Sequence, residues 1–311
     1  MNESVPLVEL VRSGLREGVH HGSVVVLDAD GSVLRALGAV DVPMYPRSSL
    51  KPAQAAGMLR AGVELPEPDV ALGAASHSGE DGHLERVREV LERHGLTEDD
   101  LQCPPDWPLG TAARDARATA GFGKQRITMN CSGKHAAMLA TCVQRGWSTE
   151  DYLSPKHPLQ QVIQDTVVEL ADEPVAVTSV DGCGAPLFAI SLTGLARLFQ
   201  GIRGLPVADA MRAHPWLVAG TGREDTELMG AVPGLVSKIG AEGVIAFALP
   251  DGRAVAVKIS DGADRARLPV AVGALRALGV RSAELDELAE SPLLGGGQPV
   301  GTVRLLPGIL D

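Results

Sequence analysis

The chain has 311 residues, 45% of them hydrophobic and 22% charged, a balance that excludes whole-chain disorder, collagen and coiled coil. Its net charge of -11 argues against a nucleic-acid partner, because that binding draws on clustered Lys and Arg. The longest apolar stretch, around Val244 to Pro250, is far short of the roughly 20 residues that a membrane-spanning helix needs.

The opening residues MNESVPLVEL hold neither a basic nor an apolar leader, so a cytoplasmic location is expected. Two strand-like runs, Ser23 to Leu27 and Ser32 to Leu37, flank Asp28-Ala29-Asp30-Gly31, which has the residues of a hairpin tip. Arg47-Ser48-Ser49-Leu50-Lys51-Pro52 then leads into an Ala-rich run. This spacing predicts a serine at or just before a helix start, with Pro52 tolerated in the first turn. Gly82 to His94 has apolar Leu84, Val87, Val90 and Leu91 at helical spacing and Gly95 as a stop. Ahead of it, Ser76-His77-Ser78-Gly79-Glu80 has no helical period. Ser78 or Asp81 is the expected cap of that helix.

Residues 96–130 read as loop-rich, and helices are expected over Lys134 to Arg145 and Leu159 to Leu170. Asp181-Gly182-Cys183-Gly184 is a flexible turn before an apolar segment. Gly220 to Thr226 fits a substrate loop or a turn entering a helix near Leu228. Pro250-Asp251-Gly252 separates two strand-like runs, and a helix follows over Ala263 to Leu278. Strands first, helices in the middle and a closing hairpin predict an α+β fold with an antiparallel sheet. No linker is evident, so the expectation is one catalytic domain over residues 1–311, built as one body or as two closely packed subdomains.

Only six residues are Lys: Lys51, Lys124, Lys134, Lys156, Lys238 and Lys258. Arg serves for ordinary surface charge, and an amine that can lose its proton is something Arg cannot supply. Ser48 and Lys51 form a Ser-x-x-Lys, whose members share one face if a helix starts there. A serine becomes a nucleophile when a neighbouring base takes its proton. The same spacing also fits a capping serine beside a solvated lysine.

Asn130-Cys131-Ser132-Gly133-Lys134-His135 combines a thiol, an amine and an imidazole, and Cys183 offers a second thiol. Two sulfurs and a nitrogen suit zinc, although there is no Cys-x-x-Cys, and buried apolar cysteines account equally for the spacing. The four cysteines of this leaderless chain read as free thiols or metal ligands rather than a disulfide framework. Lys258 closes a strand, on the face opposite Val257 and Ile259. No glycine-rich phosphate loop follows a strand, so no nucleotide or organic cofactor is expected.

In this order, the motifs around Arg47-Ser48-x-x-Lys51, Ser76 to Glu80, Asn130 to His135, Asp181 to Pro186, Arg223-x-Asp225-Thr226 and Lys258 to Gly262 resemble the asparaginase II family of Rhizobium-etli-type L-asparaginases. The resemblance implies a serine-β-lactamase and penicillin-binding-protein-like α+β fold and hydrolysis of L-asparagine to L-aspartate and ammonia. It implies Ser48 paired with Lys51, Ser76 with Lys258, and zinc on Cys131, Lys134 and Cys183. Arg47, His135 and Asp181 become candidates for substrate binding, and a homodimer is expected. Two other readings stay open: another Ser-x-x-Lys amidohydrolase, such as a glutaminase or β-lactamase-like amidase, and a non-catalytic metal- or ligand-binding protein on the same fold.

Overall fold

The computed structural model describes residues 4–310. The chain forms two compact units, one built from the residues up to Ser49, Ile190–Gln200 and those from Leu228 onward, the other from Leu50–Ala189 and Gly201–Glu227.

In the first unit, eight strands among the described residues form an antiparallel sheet. Its order is Val236–Gly240, Val244–Ala248, Ala254–Ile259, Leu15–Leu27, Val5–Arg12, Gln298–Leu305 and Glu290–Gly295, with Val33–Leu37 paired separately to Leu15–Leu27. Both predicted hairpins form. Asp28–Ser32 joins Leu15–Leu27 to Val33–Leu37, and Pro250–Gly252 lies in the connection between Val244–Ala248 and Ala254–Ile259. Alternation sorts the sheet faces: Val24, Val26, Val255, Val257 and Ile259 pack with Val270, Val272 and Leu275 of the helix Arg267–Ala277 in one apolar core. Lys258 and Lys238 therefore emerge on the opposite face.

The second unit is mostly helical, with a two-stranded ribbon of Val177–Val180 and Pro186–Ala189. Its central helix, Ser132–Arg145, is buried from Ser132 through Cys142. Small residues bring its neighbours close: an added Cβ at Gly133 would meet the Leu72 carbonyl at 2.7 Å, and one at Gly57 would meet Ile163 Cα at 3.0 Å. The helix Asp81–Arg93 forms as its periodicity requires, with Leu84, Val87, Val90 and Leu91 buried. The α+β architecture expected from the order of motifs is the one the chain adopts.

Two details differ from the sequence reading. The loop-rich segment contains a helix, Thr111–Thr119, that buries no residue, so no apolar stripe marked it. Neither Ser78 nor Asp81 caps the Asp81–Arg93 helix. Glu80 occupies the N-cap position without a capping bond. Its carboxylate instead accepts the Thr221 N–H and the Thr221 hydroxyl, each at 2.8 Å, which ties the Gly220–Thr221 turn to the helix start.

Candidate active site

Residues Arg47–Leu50 form a 3-10 turn that continues directly into the helix Lys51–Arg60, with Pro52 in its first turn. Lys51 is only 1% exposed. Its Nζ donates to the Ala75 carbonyl at 2.6 Å and to Ser76 Oγ at 2.9 Å. Two of the amine's hydrogens go to these acceptors.

Ser76 is held in an extended segment that two others grip. The Ser76 and Ser78 N–H groups donate to the Val218 and Ala219 carbonyls, and the His77 N–H donates to the Asn130 carbonyl. His77 Nε2 reaches Ser132 Oγ. On its other side the His77 ring stacks on His83, which stacks on Trp216 at 4.1 Å between centroids. Glycine backbone closes the space around Ser78: an added Cβ at Gly110 would meet Ser78 Cβ at 2.9 Å, and one at Gly220 would meet Ser78 Oγ at 2.3 Å.

A second cluster lies in the same unit. Lys134 Nζ donates to Cys183 Sγ at 3.1 Å, and Asp181 Oδ2 stands 3.7 Å from that sulfur. The Cys131 thiol donates to Asn130 Oδ1 at 3.1 Å, and its hydrogen-bonding interaction with the Cys183 sulfur is the largest cause of a strongly lowered Cys183 pKa, acting against burial and with Lys134. The same interaction, with burial, pushes the Cys131 thiol up. Burial opposes the charge on Lys134, but Cys183, Cys131 and Asp181 together outweigh it and raise its pKa. The arrangement gathers two sulfurs and an amine, with the Cys183 pKa drawn down and those of Cys131 and Lys134 pushed up.

His135 Nδ1 lies 2.6 Å from the Tyr152 hydroxyl. Its Nε2 is buried without a partner in hydrogen-bonding geometry and faces Cys183. Among the described residues, no three His, Cys, Asp or Glu side chains form a metal site by themselves. The donors that do gather, the sulfurs of Cys131 and Cys183 and the amine of Lys134, suit zinc in kind.

The remaining candidates belong to the first unit. Ser48 is half-buried in the turn before Lys51. Arg47 takes a left-handed backbone, φ 57°, and its guanidinium lies 3.7 Å from Glu242 Oε1. Lys258 Nζ donates to the Glu242 and Ile259 carbonyls. Burial pulls the Lys258 pKa down, against Glu242 and Asp261, which raise it.

Lys51 and Ser76 thus meet directly, Cys131, Lys134 and Cys183 meet directly, and Arg47 and Lys258 meet through Glu242. Sequence reasoning named His77 and Lys238 without placing them at the site, and it passed over Glu242. Lys238 is fully buried on the Lys258 face of the sheet, and its one signal was the scarcity of lysine in this chain.

A buried lysine against a serine hydroxyl, in a unit that also gathers two cysteines and a second buried lysine, is the equipment of a hydrolase. Residues 8–305 match the family described as L-asparaginase II. The chain belongs to that family and is an amidohydrolase whose substrate is a small-molecule amide. No curated protein matches it. Similar solved structures include a putative β-lactamase from Bacteroides dorei, at 16% identity over 76% of this chain and 84% of that one, TM-score 0.41. A β-lactamase from Mycobacterium bovis matches at 16% identity over 78% and 88%, TM-score 0.40. A Bacillus glutaminase matches at 12% over 78% and 84%, TM-score 0.31. Likenesses this distant carry no weight for the chemistry. No helix among the described residues is long and apolar enough to cross a membrane.

Proposed function

We propose that the protein hydrolyses L-asparagine to L-aspartate and ammonia through a serine activated by lysine. The observation that carries this reading is the buried Lys51 amine bonded to Ser76 Oγ at 2.9 Å, three residues along the chain from Ser48. Ser48 Oγ attacks the side-chain amide carbon and its proton passes to the Lys51 amine. The C–N bond breaks as the amide nitrogen takes a proton through Ser76 and leaves as ammonia. Water then cleaves the acyl-serine ester, releasing aspartate and restoring Ser48. Lys258, whose pKa is lowered by burial, is the second amine of this scheme and takes part in the proton relay with Ser76. Backbone N–H groups at the start of the Lys51–Arg60 helix are the candidates for stabilising the oxyanion. Arg47, His135 and Asp181 are assigned to substrate recognition.

Zinc is part of the proposal, held by Cys131, Lys134 and Cys183. Bound there, it supplies a Lewis-acidic charge that orients the substrate and stiffens the pocket wall. Lys134 has to give up its proton to bind it, so occupancy rises with pH. A homodimer belongs to the same reading, and sedimentation velocity tests it.

Rapid-quench mass spectrometry with L-asparagine is the decisive experiment. A covalent adduct on wild type that disappears in Ser48→Ala and persists in Ser76→Ala supports the scheme. An adduct retained in Ser48→Ala overturns it. Steady-state rates on asparagine, glutamine and nitrocefin test the substrate, and faster turnover of either of the last two refutes asparagine as the preferred one.

A further inference from the structure

The first unit contains a cavity of about 760 Å³ that the chemistry above does not use. It lies between the helix Arg267–Ala277, the strand Val33–Leu37 and the strand Gln298–Leu305. Val26 contributes to its wall, and Val26 lies on the sheet face that packs against that helix, opposite the face that carries Lys258. The cavity is thus separated from Lys258 by the sheet.

Its lining has two chemistries. One part is aliphatic, with Val26, Leu278, Leu305, Pro307 and Leu310. The other is cationic: Arg35, Arg276, Arg281 and Arg304 all border the space, and among the described residues Glu290 is the one carboxylate in its lining. That is an unusual gathering in a chain of net charge -11. Arg276 and Arg304 are held from outside the cavity, by Asp286 at 2.5 Å and by the buried Glu9 at 3.0 Å. Arg35 reaches the Ile309 carbonyl at 3.4 Å. Arg281 has no hydrogen bond or ion pair with any described residue. Arg276 and Arg304, held in this way, set a positive wall, and the guanidinium of Arg281 is left to take a carboxylate or phosphate by paired hydrogen bonds. The volume sits within the roughly 300–1,000 Å³ range of small-molecule sites. It is far larger than a single amino acid requires, and aliphatic lining without an aromatic platform suits a chain rather than a ring.

We propose that this cavity binds a soluble amphipathic anion, with a carboxylate or phosphate head at Arg281 and an aliphatic body along Val26, Leu278 and Leu305. The site is independent of the amide-cleaving chemistry, and its test reads binding alone.

Isothermal titration of the intact protein with octanoate and with octyl phosphate checks it, using octanol and octylamine as comparators. Saturable binding of both anions is expected, at one per chain, with octanol and octylamine at least tenfold weaker. Arg281→Glu reverses a charge that no described residue pairs with and should weaken octanoate by about tenfold or more, the equivalent of one lost charge-assisted contact. Ala277→Trp, at an exposed position on the cavity wall, should fill the space and abolish binding. Both variants should unfold at the wild-type temperature. Absence of saturable heat with both anions at millimolar concentration overturns the proposal. So does octanol or octylamine binding as tightly as octanoate, or wild-type affinity in Arg281→Glu.

Discussion

His77 Nε2 and Ser132 Oγ lie 2.9 Å apart, which joins the segment carrying Ser76 to the helix carrying Lys134. The Gly79 N–H donates to His77 Nδ1 at 3.2 Å, so the ring hydrogen sits on Nε2 and points at Ser132, whose hydroxyl donates to the Ile127 carbonyl. The imidazole is a neutral tie between two functional segments. Replacing it with alanine strands a buried N–H and opens a cavity, so His77→Ala should cost about 3 kcal/mol or more in urea unfolding. His77→Gln keeps a donor for Ser132 and should recover a substantial part. A His77→Ala variant as stable as wild type would disprove the tie.

Acid should weaken the fold through the same residue. Burial, then the charges of His83 and Lys51, hold His77 well below the usual histidine pKa. Burial also lowers His83, against its bond to the Trp216 carbonyl and the Glu80 charge, which raise it. Unfolded histidines titrate near pH 6.5. The folded state binds fewer protons there, so this contribution is whole above about pH 6.5 and declines as pH falls below it. Each group that stays neutral adds up to about 1.4 kcal/mol per pH unit. The slope of unfolding free energy between about pH 6.5 and 5 should be shallower in His77→Gln, and an unaltered slope would count against burial of a neutral ring.

Lys51→Met tests the amine without leaving a void. A methionine fills similar space but leaves the Ala75 carbonyl and the Ser76 hydroxyl without the amine's hydrogen bonds, so the variant should fold with a loss of about 1–3 kcal/mol. Turnover should drop by at least about 100-fold, the usual worth of a positioned base. Preservation of kcat would remove Lys51 from the mechanism.

Metal content separates the cysteines. Cys131→Ser and Cys183→Ser should each lose stoichiometric zinc by elemental analysis, whereas Cys142→Ser, a buried thiol outside the cluster, should retain it. Chelation of the wild type should raise KM more than it lowers kcat. Full zinc occupancy in Cys183→Ser would rule out the assigned ligand set.

Glu9 offers a pH effect of opposite origin. Burial works against its charge, but hydrogen bonds from Arg304 and Arg16 prevail and lower its pKa. A depressed carboxylate contributes stability above its unfolded value of about 4.3 and loses it as pH falls through the folded value. Glu9→Gln should therefore be less stable at neutral pH by about 1 kcal/mol, a modest figure because both arginines are largely exposed. The gap should close on acidification below pH ~4. A gap that widens there would contradict the ion pairs.

Much of this was legible in the sequence because local chemistry fixed it. The tips around Asp28–Gly31 and Pro250–Gly252 announce hairpins, and Leu84, Val87, Val90 and Leu91 announce a helix by spacing alone. Elements without a contrast between faces were silent. The helix Thr111–Thr119 buries nothing, so it shows no apolar stripe. The closing strands Glu290–Gly295 and Gln298–Leu305 are interrupted by Pro292, Pro299 and a run of glycines, which reads as loop. At the site, the Ser-x-x-Lys spacing was visible, but the contact Lys51 makes with Ser76 spans 25 positions and His77 with Ser132 spans 55. Only the folded chain creates those neighbours.

The two glycines that press on Ser78 also bear on how this enzyme can change. With Gly110 and Gly220 each too close to admit even a methyl group, the floor beneath the Ser76–Glu80 segment is closed to mutation. A laboratory library aimed at a new amide should leave those two codons untouched and place its diversity at Arg47, Glu242 and Asp181 instead.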